Sequence, residues 1–281
     1  MSVIIPPAAA EPIFEIGGIA ITNALVNGWI AVAFFAILAL ALGRMQMIPR
    51  GFQNFMEVIV DFLLKEIQKV TGDEKRARAF FPIVAGIFLF LLFSNWLGQL
   101  PGTGTIGVYG VHHGEVALLP LLRPAASDLN LTIAMAAFAV LASHLFGLRA
   151  LGFVSHVSKF INIRGIFQAF KKGPIAVLVA IVEFGIGLIE LVGEVAKVMS
   201  LSLRLFGNIF AGEVLITVML GLFSFIVPIP FMLLELLVGA VQATVFAMLT
   251  LAYLTVATDE HGHEEEHADD HASEHATEPA H

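Results

Sequence analysis

Residues 175–223 read IAVLVAIVEFGIGLIELVGEVAKVMSLSLRLFGNIFAGEVLITVMLGLF, an apolar run without a proline. At 1.5 Å per residue, one helix of this length extends about 70 Å, more than twice the roughly 30 Å hydrocarbon core of a bilayer. Either it breaks into two spans or it runs strongly tilted as one. No proline or Gly-Gly step marks a turn within it, so a single tilted helix is predicted. Such a helix needs a large protein partner along its flank.

The run is also studded with charge: Glu183, Glu190, Glu194, Lys197, Arg204 and Glu213, with Glu235 in the next apolar segment. An ionisable group at bilayer depth costs about 2.5–3.5 kcal/mol on insertion scales, so each of these needs a reason. At about 100° per residue, Glu190, Lys197 and Asn208 fall within about 40° of Arg204, with Glu183 and Glu194 at the margin of that face. Glu213 points to the opposite side. On the final helix Glu235, Gln242 and Tyr253 share a face, and Gly239 beside them permits close approach of a neighbouring helix. A plainer reading exists for several of these residues. Lys197 with Glu190 or Glu194 could be an internal ion pair, and Asn208 and Gln242 could be interhelical hydrogen-bond partners. Arg204 resists such a reading, because no acid of its own stripe lies within one turn.

Working outward, apolar runs predict further membrane helices over 24–43, 80–100, 129–148 and 231–257, the last following the VPIP break at 227–230. Segment 51–71, GFQNFMEVIVDFLLKEIQKVT, differs: Phe52, Phe55, Ile59, Phe62, Leu63 and Ile67 recur at helical spacing, with Glu57, Asp61, Lys65 and Lys69 elsewhere. That pattern predicts an amphipathic helix at the membrane surface. The fold class is therefore all-α and polytopic, with five membrane-embedded helices plus one amphipathic surface helix. Residues 1–23 form an outer amino-terminal segment, 101–127 a loop rich in glycine and proline, and 259–281 a tail.

The composition agrees, with 58% hydrophobic and 14% charged residues. The net charge of −8 belongs to the tail, DEHGHEEEHADDHASEHATEPAH, which holds nine of the acids and no lysine or arginine. Six of the ten histidines follow residue 260. Imidazoles among carboxylates can bind Zn²⁺ or Ni²⁺, but a solvated, disordered tail without a specific metal is the simpler reading. His112 and His113 read as exposed loop residues. The chain has no cysteine, which removes disulfides and thiolate chemistry.

Lysines and arginines set the orientation. Arg44, Arg50, Lys65, Lys69, Lys75, Arg76 and Arg78 lie between the first two spans, and Arg149, Lys159, Arg164, Lys171 and Lys172 follow the third. The loop 101–127 has only Arg123. The amino terminus is expected outside, both basic connectors and the acidic tail inside. The start lacks a basic n-region, so the first span is expected to act as its own insertion signal.

The stretch SLSLRLFGNIFAGE, 200–213, resembles the signature of subunit a of F-type ATP synthases, the membrane stator beside the rotating c-ring. VQATVFAMLTLAYL, 241–254, is similar to the end of that subunit's final helix. SNWLGQLPG at 94–102 and PAASDLNLT at 124–132 agree in the same order. The resemblance implies that the last two helices form a long tilted hairpin against the c-ring. It implies two half-channels: protons enter from outside, load a carboxyl group on a c subunit, ride the ring, and leave inside. Arg204 matches the family's essential arginine, which faces the rotor carboxylate and keeps the half-channels apart. Asn208 matches the polar residue near its outer access path, Glu213 and Glu235 its pair of channel positions, and Gln242 the polar residue that faces the arginine from the last helix. Glu190 and Lys197 match polar positions of the proton path and, with Glu194, are expected to face the inner exit.

Bacterial relatives can carry histidine at the position of Glu235. Here both partners are glutamates, which would titrate as a coupled pair if they approach. Asp128 and Asn95 match weaker positions at the outer mouth, although an N-cap and an interhelical bond explain them equally well. Implied partners are the c-ring, the peripheral-stalk b subunits, the whole ATP synthase complex and the lipid bilayer, with no nucleic acid, cofactor or metal. No GxxxxGK[ST] loop is present, so ATP chemistry is expected on partner subunits. A bacterial inner membrane is the expected location, and an organelle-encoded chain would look alike. A free-standing channel or repeat-built transporter would show repeat symmetry, which the sequence lacks. An intramembrane hydrolase would need a nucleophile or metal set, and His144 is the single histidine within an expected span.

Overall fold

A computed structural model describes residues 7, 9–43, 50–100, 102–103, 106–112, 115–153, 174–223 and 226–258. Among them six long helices dominate: α1 (Asn23–Leu42), α2 (Phe52–Thr71), α3 (Glu74–Gln99), α4 (Leu129–Leu151), α5 (Pro174–Leu222) and α6 (Pro228–Thr258). The chain is an all-α polytopic membrane protein. Helices α1, α3, α4 and α6 are each long and apolar enough to cross a bilayer. The long central run forms one unbroken 49-residue helix, α5, so the choice between one helix and two falls to one.

Local chemistry sets the ends of these elements. Thr22 caps α1, its Oγ1 accepting from the backbone N–H of Leu25. Asp73 caps α3 by accepting from the N–H of Lys75, which starts that helix six residues before the apolar run predicts. The added turns are polar, and their Arg78–Glu74 pair at 2.7 Å is solvent-exposed. Gly72 ends α2 in the left-handed conformation at φ 67°, where a side chain would be strained. On α2 the phenylalanines Phe52, Phe55 and Phe62 stay exposed, as suits a helix whose apolar face meets lipid.

Two features depart from a purely helical expectation. Strands β1 (Pro12–Ile16) and β2 (Ile19–Thr22) form a hairpin leading into α1, and β3 (Gly107–His112) pairs antiparallel with β4 (Glu115–Pro120) inside the loop between α3 and α4. A short 3₁₀ turn, Ala125–Ser127, then leads to α4.

Two compact units emerge: the chain through Phe138 with Lys197–Leu251, and Ala139–Ala196 with the chain from Ala252. In the first, α1 and α2 both pack on α3, and the turn at Ala125–Ser127 packs on α1 and α3. Its core includes Phe80, Leu91, Leu201, Leu205, Ile209 and Phe246, all essentially solvent-free. Phe93 stacks on Phe34 at 4.3 Å and meets Phe35 edge-on, tying α1 to α3. The second unit buries Ala139, Val140, Ala142, Ala180 and Leu254. The acidic tail, residues 44–49 and the connector 154–173 lie outside the described residues, as do His113 and five of the twelve basic residues between spans (Arg44, Lys159, Arg164, Lys171 and Lys172).

Candidate functional site

The site begins where α3 meets the segment before α4. A Cβ at Gly98 would overlap the backbone of Arg123 and Pro124, so only glycine permits this approach. From the other side Asn27 of α1 donates its Nδ2 to the carbonyls of Ser94 (2.8 Å) and Arg123 (2.7 Å). The Arg123 backbone is thus fixed twice, and its side chain, 3% exposed, is fixed too. Its Nε donates to Glu213 Oε1 at 2.8 Å and Oε2 at 3.0 Å. Its Nη2 and Nη1 donate to the carbonyls of Pro7 (2.8 Å) and Ala9 (3.3 Å).

Beside Glu213 on α5 stands Gly212, and a Cβ there would fall onto the carboxyl group of Glu235 on α6. The two helices therefore cross with both carboxylates at the crossing. Glu235 is buried and accepts from Gln99 Nε2 of α3 at 2.8 Å. Each carboxylate thus has its own partner, Arg123 for Glu213 and Gln99 for Glu235. Along α6, Gly239 faces Asn95, Trp96 and Gln99, while Trp96 Nε1 donates to the Leu236 carbonyl at 2.8 Å. Next, Gln242 Oε1 accepts from Asn208 Nδ2 of α5 at 2.8 Å. The polar side chains form a ladder across the α5–α6 crossing, backed by α3.

Several rungs are incomplete. Asn95 is fully buried, and neither atom of its amide meets a partner among the described residues. The same holds for Gln99 Oε1 and Asn27 Oδ1. Leaving a buried polar atom unpaired costs about 1–3 kcal/mol, a cost that internal water relieves.

One turn before Asn208 lies Arg204. It is exposed and makes no hydrogen bond or ion pair with the described residues. Its exposed neighbours are Ser200, Leu203, Gly207 and Asn208, none of them charged, while Leu201, Ser202 and Leu205 turn inward. The helix thus presents a guanidinium among uncharged exposed neighbours.

A model of the family described as ATP synthase A chain matches residues 25–255. The chain belongs to the ATP synthase subunit a family. It is 34% identical to ATP synthase subunit a of Gloeobacter violaceus, covering 84% of this chain and 86% of that one. It is 32% identical to that of Moorella thermoacetica (89% and 96%) and 33% identical to that of Citrifermentans bemidjiense (86% and 89%). Members of subunit a are the proton-translocating stator subunits in the membrane sector of F-type ATP synthases.

Of the residues singled out from the subunit a sequence, Asn95, Asn208, Glu213, Glu235 and Gln242 fall in or beside the ladder, with Arg204 at its open end. Lys197 is half-buried in the same unit. Asp128 has an N-cap role: its Oδ1 accepts from the N–H of Asn130 at 3.0 Å, at the start of α4. Glu190, Glu194 and Tyr253 belong to the second unit, where Glu194 Oε2 lies 3.4 Å from His144 Nε2. Sequence reasoning missed Arg123, Gln99, Asn27 and Gly212. The signal for Arg123 was its isolation: LLPLLRP is apolar apart from one arginine, and such an arginine is affordable only with a buried partner.

Proposed function

We propose that this subunit supplies two proton half-channels to a ring of c subunits, with Arg204 as the fixed charge between them. The observation that carries this reading is the exposed Arg204 guanidinium, unpaired among the described residues. A lone cation on a membrane-embedded face costs several kcal/mol unless an anion meets it. A carboxylate on a passing rotor subunit meets that requirement. A guanidinium carries a permanent charge, so it attracts that carboxylate without relaying a proton itself.

Protons enter from the outer side through Glu213 and Glu235, over water held by the incompletely bonded amides of Asn95 and Gln99. The Asn208–Gln242 pair delivers them beside Arg204. Glu190, Glu194 and Lys197 serve the inner exit, with Tyr253 on the final helix, while Asp128 supports the outer mouth from the head of α4. The amino terminus lies outside and the acidic tail in the cytoplasm of a bacterium, the subunit sitting in the inner membrane. The b subunits hold the stator, and nucleotide chemistry occurs on other subunits of the complex.

Inverted vesicles carrying wild type or Arg204→Ala test this reading. ATP-driven acidification and passive proton leak are recorded separately. Loss of pumping with normal assembly and raised leak is expected. Preserved pumping would assign Arg204 a structural role and end the two-half-channel reading for this chain.

A further inference from the structure

We propose that Arg123 is a positioning residue of the proton path: it holds the Glu213 carboxylate in place and, with the same guanidinium, fastens the amino-terminal segment at Pro7 and Ala9 beside it. This rests on the reading that Glu213 carries protons. The amino-terminal segment then becomes part of the outer proton entrance, a role that its sequence of alanines and prolines does not announce.

Three observations converge on it. First, Arg123 is almost wholly buried and uses Nε, Nη1 and Nη2 in three directions: a carboxylate on α5 and two carbonyls 114 and 116 residues away in sequence. A rigid five-donor fork can bridge these groups, whereas a lysine ammonium cannot span the same divergence. Second, the Arg123 backbone cannot drift, because Gly98 brings α3 against it and Asn27 grips its carbonyl. The guanidinium is therefore presented from a fixed base.

Third, the amino-terminal segment is tied down at only a few points among the described residues. The carbonyl of Glu11 accepts from the N–H of Asn23 at the head of α1, and the carbonyls of Pro7 and Ala9 go to Arg123. Without Arg123 the chain before Glu11 would lose both of those bonds. Around Glu213 the charged and polar groups are Arg123, Ser127, Glu11 from the amino-terminal segment, and Glu235 from α6. The acid that the reading places on the proton path is thus linked to this segment through the Arg123 guanidinium, with Glu235 of α6 also near it.

A strut with no role in proton transfer would make the same bonds, so the decisive readout is saturation rather than assembly. In inverted vesicles containing the whole complex, ATP synthesis is driven by an acid lumen and followed as luminal pH varies. Three variants are compared with wild type: Arg123→Lys, a deletion of residues 2–9, and the two combined. Each single change is expected to alter the half-saturating luminal proton concentration about threefold or more, the scale of losing one hydrogen bond. The combination is expected to do no more than the larger single change, because both release the same clamp.

An unchanged half-saturation, with a maximal rate that falls only in step with the amount of assembled complex, would overturn the proposal and leave Arg123 a strut. Effects that multiply in the combined variant would also overturn it, since the segment and the arginine would then act separately. Glu213→Gln is the companion control. If it leaves synthesis intact, the proton path through Glu213 fails and the proposal with it. If it abolishes synthesis while Arg123→Lys and the deletion leave half-saturation unmoved, the clamp alone fails.

Discussion

Two arginines in the first unit have opposite situations. Arg123 is buried, sits on a backbone fixed from two sides, and spends its donors on Glu213, Pro7 and Ala9. Arg204 is exposed and spends none on the described residues. Both are guanidiniums in membrane-embedded or membrane-edge surroundings, where an unpaired charge is costly. The difference teaches that the fold satisfies the arginine whose charge organises the chain and leaves the other open, the one the proposed function assigns to a carboxylate of another molecule. The first is then a matter of geometry within the subunit, the second, on the proposed reading, a matter of partnership.

That contrast breaks if the two residues respond alike to substitution. The largest effect is expected for Arg204→Ala: ATP-driven pumping falls to background while the amount of subunit a in washed membranes, read by immunoblot, is unchanged. Arg123→Gln is expected to do the reverse in kind. Removing one partner of a buried ion pair costs about 3–5 kcal/mol, so the subunit's abundance should fall before any activity per complex is considered. An Arg123→Gln complex of normal abundance would mean that the Glu213 pairing is dispensable to folding.

Next in size is Gly98→Ala, whose new methyl would overlap the Arg123 and Pro124 backbone. Overpacking of this kind costs about 1–3 kcal/mol, measurable as reduced complex and a lower unfolding temperature in detergent. Gly212→Ala meets the end of a side chain instead, and the Glu235 carboxyl can swing away. Assembly should survive there while pumping falls, which sharpens the distinction between packing and path. The smallest effect belongs to Glu74→Ala. It removes an exposed i,i+4 pair with Arg78, and such pairs contribute only about 0.3–0.5 kcal/mol. Stability and pumping should both match wild type.

The helices were legible because hydrophobic runs and caps are local signals. The unbroken α5 followed from the absence of a turn residue, and the face shared by Arg204 and Asn208 followed from helical angle alone. The Asn208–Gln242 bond was foreshadowed as a plain interhelical contact. The two hairpins were not legible: β1 and β2 are short, and β3–β4 lies in a stretch whose glycines and prolines read as loop. The early start of α3 was hidden by its charged first turns, where Asp73 and not hydropathy marks the boundary.

The Arg123–Glu213 pair was illegible for a deeper reason. Its members are 90 residues apart, and nothing in the composition of either neighbourhood points to the other. The pairing depends on a backbone approach at Gly98 and a bond from Asn27, both of which exist only once α1, α3 and the turn at Ala125–Ser127 have packed. Glu213 and Glu235 likewise look like a pair of interacting acids in sequence. In the fold each has its own partner, Arg123 or Gln99, while Gly212 lets them share a crossing.

The central claim is that the Arg204 face of α5 meets the rotor. Because the chain has no cysteine, single cysteines can be placed on that face at Leu203, Gly207 or Ala211, all exposed, and at the buried positions Leu201 or Leu205. Each is paired with a cysteine beside the ion-binding carboxylate of the c subunit and oxidised in the assembled complex. The account predicts a–c disulfides from the Arg204 face and none from the buried positions. Cross-links absent from 203, 207 and 211 in a fully assembled complex would contradict it.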